Sequence, residues 1–412
     1  MSIHDLNKKK IINDPVYGFI NIPNEIIFDI IEHPYFQRLR RIKQLGLTFL
    51  VYPGAIHSRF QHALGTTHLM STAINVLRSK NKNITDEEAE AVLIAILLHD
   101  IGHGPFSHAL EKHIINVDHE RLSLLFMENL NSIFNGRLSL AIKIFSNNYY
   151  KKFLHQLVSS QLDMDRLDYL KRDSFFSGVT EGVISYDRII KMLDVVDDKL
   201  VIEEKGIYSI EKFLIARRLM YWQVYMHKTV VSAELLLSKI LKRAKELADD
   251  NVDLFATPAL KFFLYNKINT DLLNSYKAFN FFSQLDDNDV MSSIKTWTNH
   301  EDTTLRKLSE NLINRHLYKI IIQNKPIDHN IINNLKNNVK QNYNISEEEL
   351  NYFVFTGELT NNAYSAVDDR INILSKTGKL NDISEASDML NLSVLSKTVK
   401  KHYLCFPKEF KI

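Results

Sequence analysis

Residues 85–111 read TDEEAEAVLIAILLHDIGHGPFSHALE, and this stretch decides the fold. A capping box at residues 85–88 predicts the start of a helix, and apolar residues then recur at helical spacing, at Ala89, Val92, Leu93, Ile96 and Leu97. One turn further, the same face takes in His99 and Asp100. A buried imidazole and a buried carboxylate are costly unless each finds a partner, and a cation satisfies both. The pattern predicts a metal-binding pair at the end of this helix; a neutral histidine paired with Asp100 inside a core is the alternative.

Histidine is concentrated around this helix. Eight of the 16 histidines lie within residues 57–119. Because neutral imidazole is a common metal ligand and titrates near physiological pH, such a cluster is a candidate site. Surface histidines without a function are the alternative on number alone, and the helical periodicity favours a site.

Two further helices are predicted to contribute polar side chains to the same interior. One starts at the N-cap Ser58 and carries His62, for which an ordinary core histidine is the alternative. In residues 160–173, one helical face carries Leu162, Asp165, Tyr169 and Asp173. This mixture makes a poor core stripe and a good pocket wall. Asp163 and Asp168 lie off that face, and we expect them to be solvated or capping groups.

A later segment, residues 216–228, carries a cationic and aromatic stripe. At helical spacing, one face would hold Arg217, Tyr221, Tyr225 and Lys228. Positive charge suits a polyphosphate, and a tyrosine ring suits a sugar or a base. A seam between helices at an oligomer interface is the alternative.

Composition indicates a soluble, mainly α-helical protein. The 412 residues suggest two or three domains. The chain has 12 glycines and 8 prolines, less than half of the usual ~7% and ~5%, which predicts few turns and long helices. Apolar residues make up 45% and charged residues 24%, as in ordinary globular proteins.

Charge, cysteine content and hydropathy narrow the function classes. The 51 basic and 49 acidic residues leave a net charge of +2, which gives no broad field for binding nucleic acid or an anionic membrane. The single cysteine, Cys405, fits a reducing compartment. The longest apolar run, residues 91–98, is too short to cross a bilayer, and no apolar leader follows the basic start. We therefore expect a cytoplasmic protein.

The organisation of the chain changes near residues 249–253. Residues 1–248 read as almost entirely helical, with one possible hairpin at 199–209. Beyond the junction, helices continue to about residue 314, and β-like runs follow at residues 317–322, 352–355, 371–375 and 402–406. We predict a helical core over 1–248 and a smaller α+β region over 249–412.

The order His62, His99-Asp100, Asp165 resembles the metal-dependent HD phosphohydrolase superfamily. Longer strings sharpen the resemblance: INDPVYGFI (12–20), YFQRLRRIKQLG (35–46), YPGAIHSRFQHALG (52–65), LLHDIGHGPFSHALE (97–111) and DMDRLDYLKRD (163–173). Together they are similar to the deoxynucleoside triphosphate triphosphohydrolases of the dGTPase-like and sterile-α-motif/HD-domain kind, over roughly residues 10–230. The resemblance implies an HD-domain helical core.

The resemblance also implies roles for individual residues. The implied metal ligands are His62, His99, Asp100 and Asp165, a donor set compatible with Fe, Mn, Zn, Co or Ni, with Mg bound to the nucleotide phosphates. The implied catalytic residues are His103, His108, Glu111 and His119, of which Glu111 stands where relatives often have aspartate. The implied substrate contacts are Arg59, Gln44, Leu45, Arg166, Tyr169, Asp173, Arg217, Tyr221, Tyr225 and Lys228. Tyr221 replaces a histidine and Met226 a glutamine of the relatives, so base preference is left open.

A second nucleotide site is implied near the N-terminus, as in relatives that assemble when they bind nucleotide. The matching residues are Lys10, Ile11, Asn13, Glu32, Gln37 and Arg40, and Glu32 replaces an aspartate. The alternative is that Gln37 and Arg40 only brace an interface helix. A homo-oligomer is expected on either interpretation.

The resulting hypothesis is a metalloenzyme that hydrolyses a dNTP to deoxynucleoside and triphosphate. A metal-activated water would attack the α-phosphorus, and His108 would protonate the leaving 5′-oxygen. Other nucleotides, such as a cyclic dinucleotide, an alarmone or a nucleoside mono- or diphosphate, are alternative substrates. A nucleotide sensor that has lost turnover is a rival of a different class, although the intact set of histidines and aspartates argues against it.

Overall fold

The computed structural model describes residues 10–106, 110–115, 117–268, 275–361, 364, 370–388 and 398–411, with only the backbone of Glu111 and Lys112. His108 therefore lies outside the described residues. No helix in the described part of the chain combines the length and the apolar character that crossing a bilayer requires.

Helices dominate the described ranges. The α-helices are α1 Glu25–Glu32, α2 Pro34–Gln37, α3 Arg59–Ser79, α4 Asp86–Leu98, α5 His119–Ile133, α6 Ser139–Phe145, α7 Lys152–Val158, α8 Met164–Ser177, α9 Tyr186–Lys191, α10 Ile207–Met220, α11 Lys228–Asp249, α12 Pro258–Tyr265, α13 Tyr276–Phe282, α14 Asp287–Trp297, α15 Thr303–Ile313, α16 His329–Tyr343, α17 Glu347–Phe353 and α18 Ile383–Ala386. The strands are β1 Ile11–Asp14, β2 Gly18–Asn21, β3 Leu193–Val196, β4 Lys199–Glu203, β5 Lys319–Gln323, β6 Phe355–Asn361, β7 Asn372–Leu374, β8 Leu380–Asp382 and β9 Val399–Phe406. The prediction of a mainly α-helical fold is confirmed.

Helices α3, α4 and α8 form the core that carries the site. The predicted helix starts are confirmed, since Ser58 caps α3 in a capping box with Gln61, and Thr85 caps α4 in one with Glu88. Helix α4 is buried on almost every side between Ala91 and Leu98, and α3 packs against both α4 and α8. Long capped helices thus bring the chain segments around residues 62, 99 and 165 together.

The strands form three separate sheets. Antiparallel β1 and β2 make a hairpin, β3-β4-β7-β8 make a four-stranded sheet, and β5-β9-β6 make an antiparallel three-stranded sheet. In the four-stranded sheet, β4 pairs in parallel with β7, with Ile202 opposite Ile373. Residues from both sides of position 249 therefore share one sheet.

Both hairpins before residue 249 differ from the expectation. The β1–β2 hairpin was not predicted, because its four-residue strands are short and mixed in polarity. The hairpin expected at 199–209 is wrong in position, because the observed hairpin pairs β3 with β4 over residues 193–203. Its turn lies at Asp197 and Asp198, which both have positive φ, and residues 204–206 instead form a 3₁₀ turn that leads into α10.

The chain after α11 contains both helices and strands. The predicted β-like runs overlap β5, β7 and β9, but residues 352–353 belong to α17, so the prediction there is wrong. Ser346 and Glu349 form a capping box that extends the helix to Phe353. The predicted boundary falls where α11 ends, at Asp249, and the division into two domains stays a prediction.

Candidate active site

Four side chains from three chain segments converge beside the end of α4. Nε2 of His62 lies 3.3 Å from Nε2 of His99 and 3.0 Å from Oδ1 of Asp165. Oδ1 of Asp165 lies 3.5 Å from Nε2 of His99, and Oδ1 of Asp100 lies 3.4 Å from the same nitrogen. Ligand atoms of His62, His99 and Asp100 all lie within 4.8 Å of one another, so this group could hold a metal ion.

The outer nitrogen of each imidazole is held by the protein. Nδ1 of His62 lies 2.7 Å from Oδ2 of Asp168, and Nδ1 of His99 lies 2.6 Å from the carbonyl oxygen of Ile96. Both partners are acceptors, which puts the proton on Nδ1 and turns the Nε2 lone pair toward the cluster. This arrangement of a histidine ligand and an acceptor behind it is typical of metal sites.

The expectation for Asp163 and Asp168 is confirmed for Asp163, which is a capping group, and is wrong for Asp168. We expected solvated or capping groups, but both aspartates are completely buried. Asp163 does cap α8, through the backbone N–H of Arg166, whereas Asp168 binds His62 directly. Asp168 was missed because it lies off the face of Asp165; its i, i+4 spacing to Arg172 is the signal that could have found it.

Electrostatics in the cluster favour a cation. Burial lowers the pKa of His62, but the carboxylates of Asp165 and Asp168 outweigh this and raise it to about 10. Burial raises the pKa of Asp165, while His62 and His99 lower it well below its usual range. A divalent ion meets the same demand for positive charge, and two nitrogen and two oxygen donors fit such an ion.

Arg59, His103 and His119 flank the cluster. Nη1 of Arg59 lies 2.5 Å from Oδ2 of Asp100, and Nε2 of His103 lies 3.3 Å from Oδ1 of the same carboxylate. The ring of His119 stacks on that of His103 at 4.0 Å between centroids. Burial and the positive charge of Arg59 lower the pKa of His103 to about 3, so this imidazole is neutral. The backbone of Glu111 lies in a π-helical turn, Glu111–Ile115.

Arg59 also borders a cavity of about 320 Å³. Its walls come from the segment before α3, the segment after α4, the α10–α11 junction and α11. They include Gln44, Leu45, Phe106, Tyr221, Tyr225 and Glu234. Oε1 of Gln44 is buried without a hydrogen-bond partner among the described residues. Glu234 is an isolated acidic residue on α11 that belongs to no motif, so it could not be predicted from the sequence.

The predicted stripe at residues 216–228 is not one continuous face. Helix α10 ends at Met220, Tyr221–Tyr225 form a π-helical turn, and α11 begins at Lys228. The break arises because the backbone N–H of Met226 donates to the carbonyl of Tyr221, closing a wider turn than an α-helix allows. The rings of Tyr221 and Tyr225 still meet, at 5.2 Å between centroids.

The basic residues predicted to contact phosphate are in different environments. Arg217 is 8% exposed, and its Nε and Nη1 have no hydrogen-bond partner among the described residues. Arg166 is already paired with Asp163. Lys228 is exposed at the first position of α11.

Asp173 and Tyr169 form part of the wall. Both carboxylate oxygens of Asp173 are occupied, one 2.8 Å from Nε2 of His57 and one accepting from the Tyr225 hydroxyl at 2.7 Å. Asp173 therefore orients Tyr225. The ring of Tyr169 lies 6.2 Å from that of Tyr225.

A second cavity, of about 450 Å³, opens directly onto the ligand cluster. Its walls include the cluster residues His99, Asp100 and Asp165 together with His119, Glu120 and His155. A path for water or product to the cluster thus exists apart from the Gln44 cavity.

The residues of the implied second nucleotide site lie on the N-terminal hairpin and on α1, α2 and the turn after it, at Lys10, Ile11, Asn13, Glu32, Gln37 and Arg40. The side chain of Gln37 donates to the carbonyl of Ile31 and accepts from Nε of Arg40. The Arg40 guanidinium lies 3.6 Å from the centroid of the Phe60 ring. These contacts agree with a bracing role.

Comparisons with known proteins identify the family. The HD domain family model matches residues 59–197, and a model described as HD associated region matches residues 184–257. The chain is 31% identical to the uncharacterized protein YwfO of Bacillus subtilis, over 98% of this chain and 93% of that protein.

Two further matches carry functional names. The deoxynucleoside triphosphate triphosphohydrolase SAMHD1 homolog of Dictyostelium discoideum is 29% identical over 76% of this chain, and the match spans 60% of that protein. A crystal structure of a phosphohydrolase from Bacteroides thetaiotaomicron is 58% identical with a TM-score of 0.94, covering 97% of this chain and 100% of that one. The matched HD domain contains all four converging side chains, and the chain belongs to the HD-domain phosphohydrolases.

Proposed function

We propose that this protein hydrolyses deoxynucleoside triphosphates to deoxynucleoside and triphosphate. The observation that carries the proposal is the double contact of Arg59, which binds Asp100 in the ligand cluster and borders the Gln44 cavity. A nucleotide bound in that cavity would reach the cluster with its phosphates. Similarity to the SAMHD1 enzymes supports the substrate class.

His62, His99, Asp100 and Asp165 would hold the metal ion through two nitrogens and two carboxylates. When bound, such an ion polarises a phosphoryl oxygen and lowers the pKa of a coordinated water. The acceptors behind the histidines, Asp168 and the Ile96 carbonyl, keep both rings turned to the cluster.

The side chains around the Gln44 cavity would bind the nucleotide. Arg59 and Arg217 each have guanidinium nitrogens without a protein partner, and buried, partly unsatisfied guanidinium groups suit phosphate oxygens. Lys228 would add charge from the exposed side. Oε1 of Gln44 would accept from a sugar hydroxyl, and Tyr221 and Tyr225 would flank the sugar or base.

Proton transfer is assigned to histidines. His108 would protonate the leaving 5′-oxygen, with His119 and Glu111 adjusting its protonation. His103 is neutral, and its Nε2 lies 3.3 Å from Oδ1 of Asp100. Its main role would be to orient this carboxylate.

The test is a nucleotide panel incubated with purified protein and Mn²⁺ or Mg²⁺, with products separated by chromatography. We expect deoxynucleoside and triphosphate from at least one dNTP. Release of orthophosphate or of a nucleoside monophosphate would point to another HD phosphohydrolase reaction, and no turnover on any nucleotide would point to a nucleotide sensor.

Regulation and assembly extend the proposal. A second nucleotide would bind near Lys10, Glu32 and Arg40 and promote a homo-oligomer. The exposure of the Arg40 side chain supports this extension, because an exposed guanidinium is accessible to a phosphate group. The core over residues 1–248 would perform catalysis, and the region over 249–412 would form the rest of the assembly.

A further inference from the structure

The N-terminal hairpin is connected to the ligand cluster by a continuous chain of buried charges. Asp14, at the end of β1, contacts Nη1 of Arg172 through Oδ2 at 2.8 Å. Arg172 contacts both oxygens of Asp168, from Nε at 2.9 Å and from Nη2 at 3.0 Å. Asp168 in turn accepts from Nδ1 of His62. Three side chains thus link the hairpin to the candidate ligand His62.

All members of the chain are shielded from water. His62, Asp168 and Arg172 are completely buried, and Asp14 is 6% exposed. Charges at this depth interact strongly with one another, because little solvent screens them.

The hydrogen bonds that each group can make explain why this series of buried charges requires Asp14. The fork of Arg172 is divided between two carboxylates, and Oδ2 of Asp168 accepts from both Arg172 and His62. Without the carboxylate of Asp14, the whole positive charge of Arg172 would act on Asp168. Asp168 would then be a weaker acceptor for His62, and the imidazole a poorer donor to a metal ion.

The absence of a side chain at Gly65 makes room for the ion pair between Asp168 and Arg172. Gly65 lies on α3 nearly one turn after His62, and a Cβ there would lie 2.0 Å from Oδ1 of Asp168 and 2.2 Å from Nη2 of Arg172. The ion pair therefore packs directly against the backbone of the helix that carries His62, and only glycine allows that approach.

Asp14 also organises the hairpin itself. Its Oδ1 accepts from the backbone N–H groups of Val16 and Tyr17, which closes the turn between β1 and β2. Oδ1 of Asp14 thus holds the turn and also accepts from Nη2 of Arg172 at 3.4 Å, while Oδ2 accepts from Nη1 at 2.8 Å. The folded hairpin therefore delivers the carboxylate that completes this series of buried charges.

We propose that Asp14 and Arg172 are positioning residues that set the metal affinity of the cluster through Asp168 and His62. The proposal rests on the metal role of His62 in the proposed function, but not on the identity of the nucleotide. Loss of order in the hairpin would therefore weaken metal binding. Asp14 would influence the metal site although it lies 48 residues before His62 in the sequence.

The test is a titration of metal-free protein with Mn²⁺ in the absence of nucleotide. The EPR signal of free Mn²⁺ measures how much of the ion remains unbound. Asp14→Asn keeps an oxygen for the turn but removes the charge, and we expect Mn²⁺ affinity to fall by about 3- to 10-fold. Asp168→Asn should cost roughly 10- to 100-fold, the range typical of groups behind a ligand. Turnover of Asp14→Asn should recover at saturating Mn²⁺, which a general loss of stability would not produce.

Two variants serve as controls. Lys151→Met breaks another buried ion pair, with Glu88, remote from the cluster, and Phe19→Ala alters an exposed side chain of the same hairpin. Both should keep wild-type Mn²⁺ affinity. If Asp14→Asn does not fold, Arg172→Lys retains the charge without the fork and should also weaken Mn²⁺ binding.

The outcomes separate the two proposals. Wild-type affinity in folded Asp14→Asn or Arg172→Lys would overturn the positioning role. Tight Mn²⁺ binding by the wild type without dNTP hydrolysis would overturn the proposed function and leave the positioning role intact. Absence of binding by Mn²⁺, Fe²⁺, Co²⁺, Ni²⁺ and Zn²⁺ alike would overturn the ligand assignment, and this inference with it.

Discussion

Nη1 of Arg59 lies 2.5 Å from Oδ2 of Asp100, so the first residue of α3 is bound to the last residue of the His-Asp pair. Nε of Arg59 has no hydrogen-bond partner among the described residues, and the side chain also lines the cavity of about 320 Å³. One side chain therefore shares its charge between a candidate ligand and the cavity beside it.

Arg59→Gln should lower kcat/KM for the preferred dNTP by about 10²-fold or more, since it removes a buried charge directed at the phosphates. The metal content, measured by mass spectrometry, should fall little because Arg59 is not a ligand. Arg78→Gln, at the exposed end of the same helix, is the control and should keep full activity. Equal kcat/KM for Arg59→Gln and the wild type would contradict the role.

Asp100→Asn should abolish turnover and leave a folded protein, because the amide keeps the shape of the side chain but is a poor metal ligand. Metal analysis and circular dichroism check the two parts of this expectation. Full metal occupancy with unchanged activity would show that Asp100 is not a ligand.

His108→Ala should retain the metal and lose roughly 10²–10⁴ in rate, the usual effect of removing a general acid or base. The measurement is kcat together with metal content. A variant with the wild-type rate would transfer the role of proton donor to His103 or His119.

Glu234→Gln should change how stability depends on pH. Burial raises the pKa of Glu234 from 4.5 to about 7, although the backbone N–H of Leu47 opposes this by donating to the carboxyl group. Between these two values the unfolded chain is ionised and the folded chain is still protonated, so stability falls as pH rises through this window. Urea midpoints at about pH 4.5 and about pH 7.5 should therefore differ more for the wild type than for the variant. Identical differences would contradict the shift.

Arg40→Ala tests the second nucleotide site. If GTP or a dNTP binds there, it raises the rate on a second dNTP and increases the mass of the oligomer, and Arg40→Ala removes both responses without changing metal content. Hyperbolic kinetics and a constant mass with every nucleotide would indicate an enzyme without an effector.

The ligand cluster could be predicted because short sequence signals mark where its helices begin and which faces are buried. Ser58 and Thr85 each form a capping box, and the apolar spacing after each of them turns His62, His99 and Asp100 inward. Such signals need only neighbouring residues. The helical class follows in the same way from scarce glycine and proline.

The features that sequence reasoning missed depend on contacts between distant segments. Asp168 is separated by 106 residues from the imidazole that it binds, and Asp14 by 158 from Arg172. The π-helical turn at Tyr221–Tyr225 leaves no mark in the apolar periodicity. Short strands such as β1 and β2 carry too few residues for a clear alternation, and their stability comes from pairing.

The parallel pairing of β4 with β7 has a consequence for protein engineering. A fragment that ends at Asp249 keeps every candidate catalytic residue but loses the strand that covers Val201, Ile202 and Glu203. Strand β4 would then present unpaired backbone groups beside apolar side chains, and such an open edge recruits strands from other molecules. The measured mass of a truncated fragment would therefore reflect pairing between exposed strand edges and not the native assembly. The oligomeric state should be measured on the intact chain.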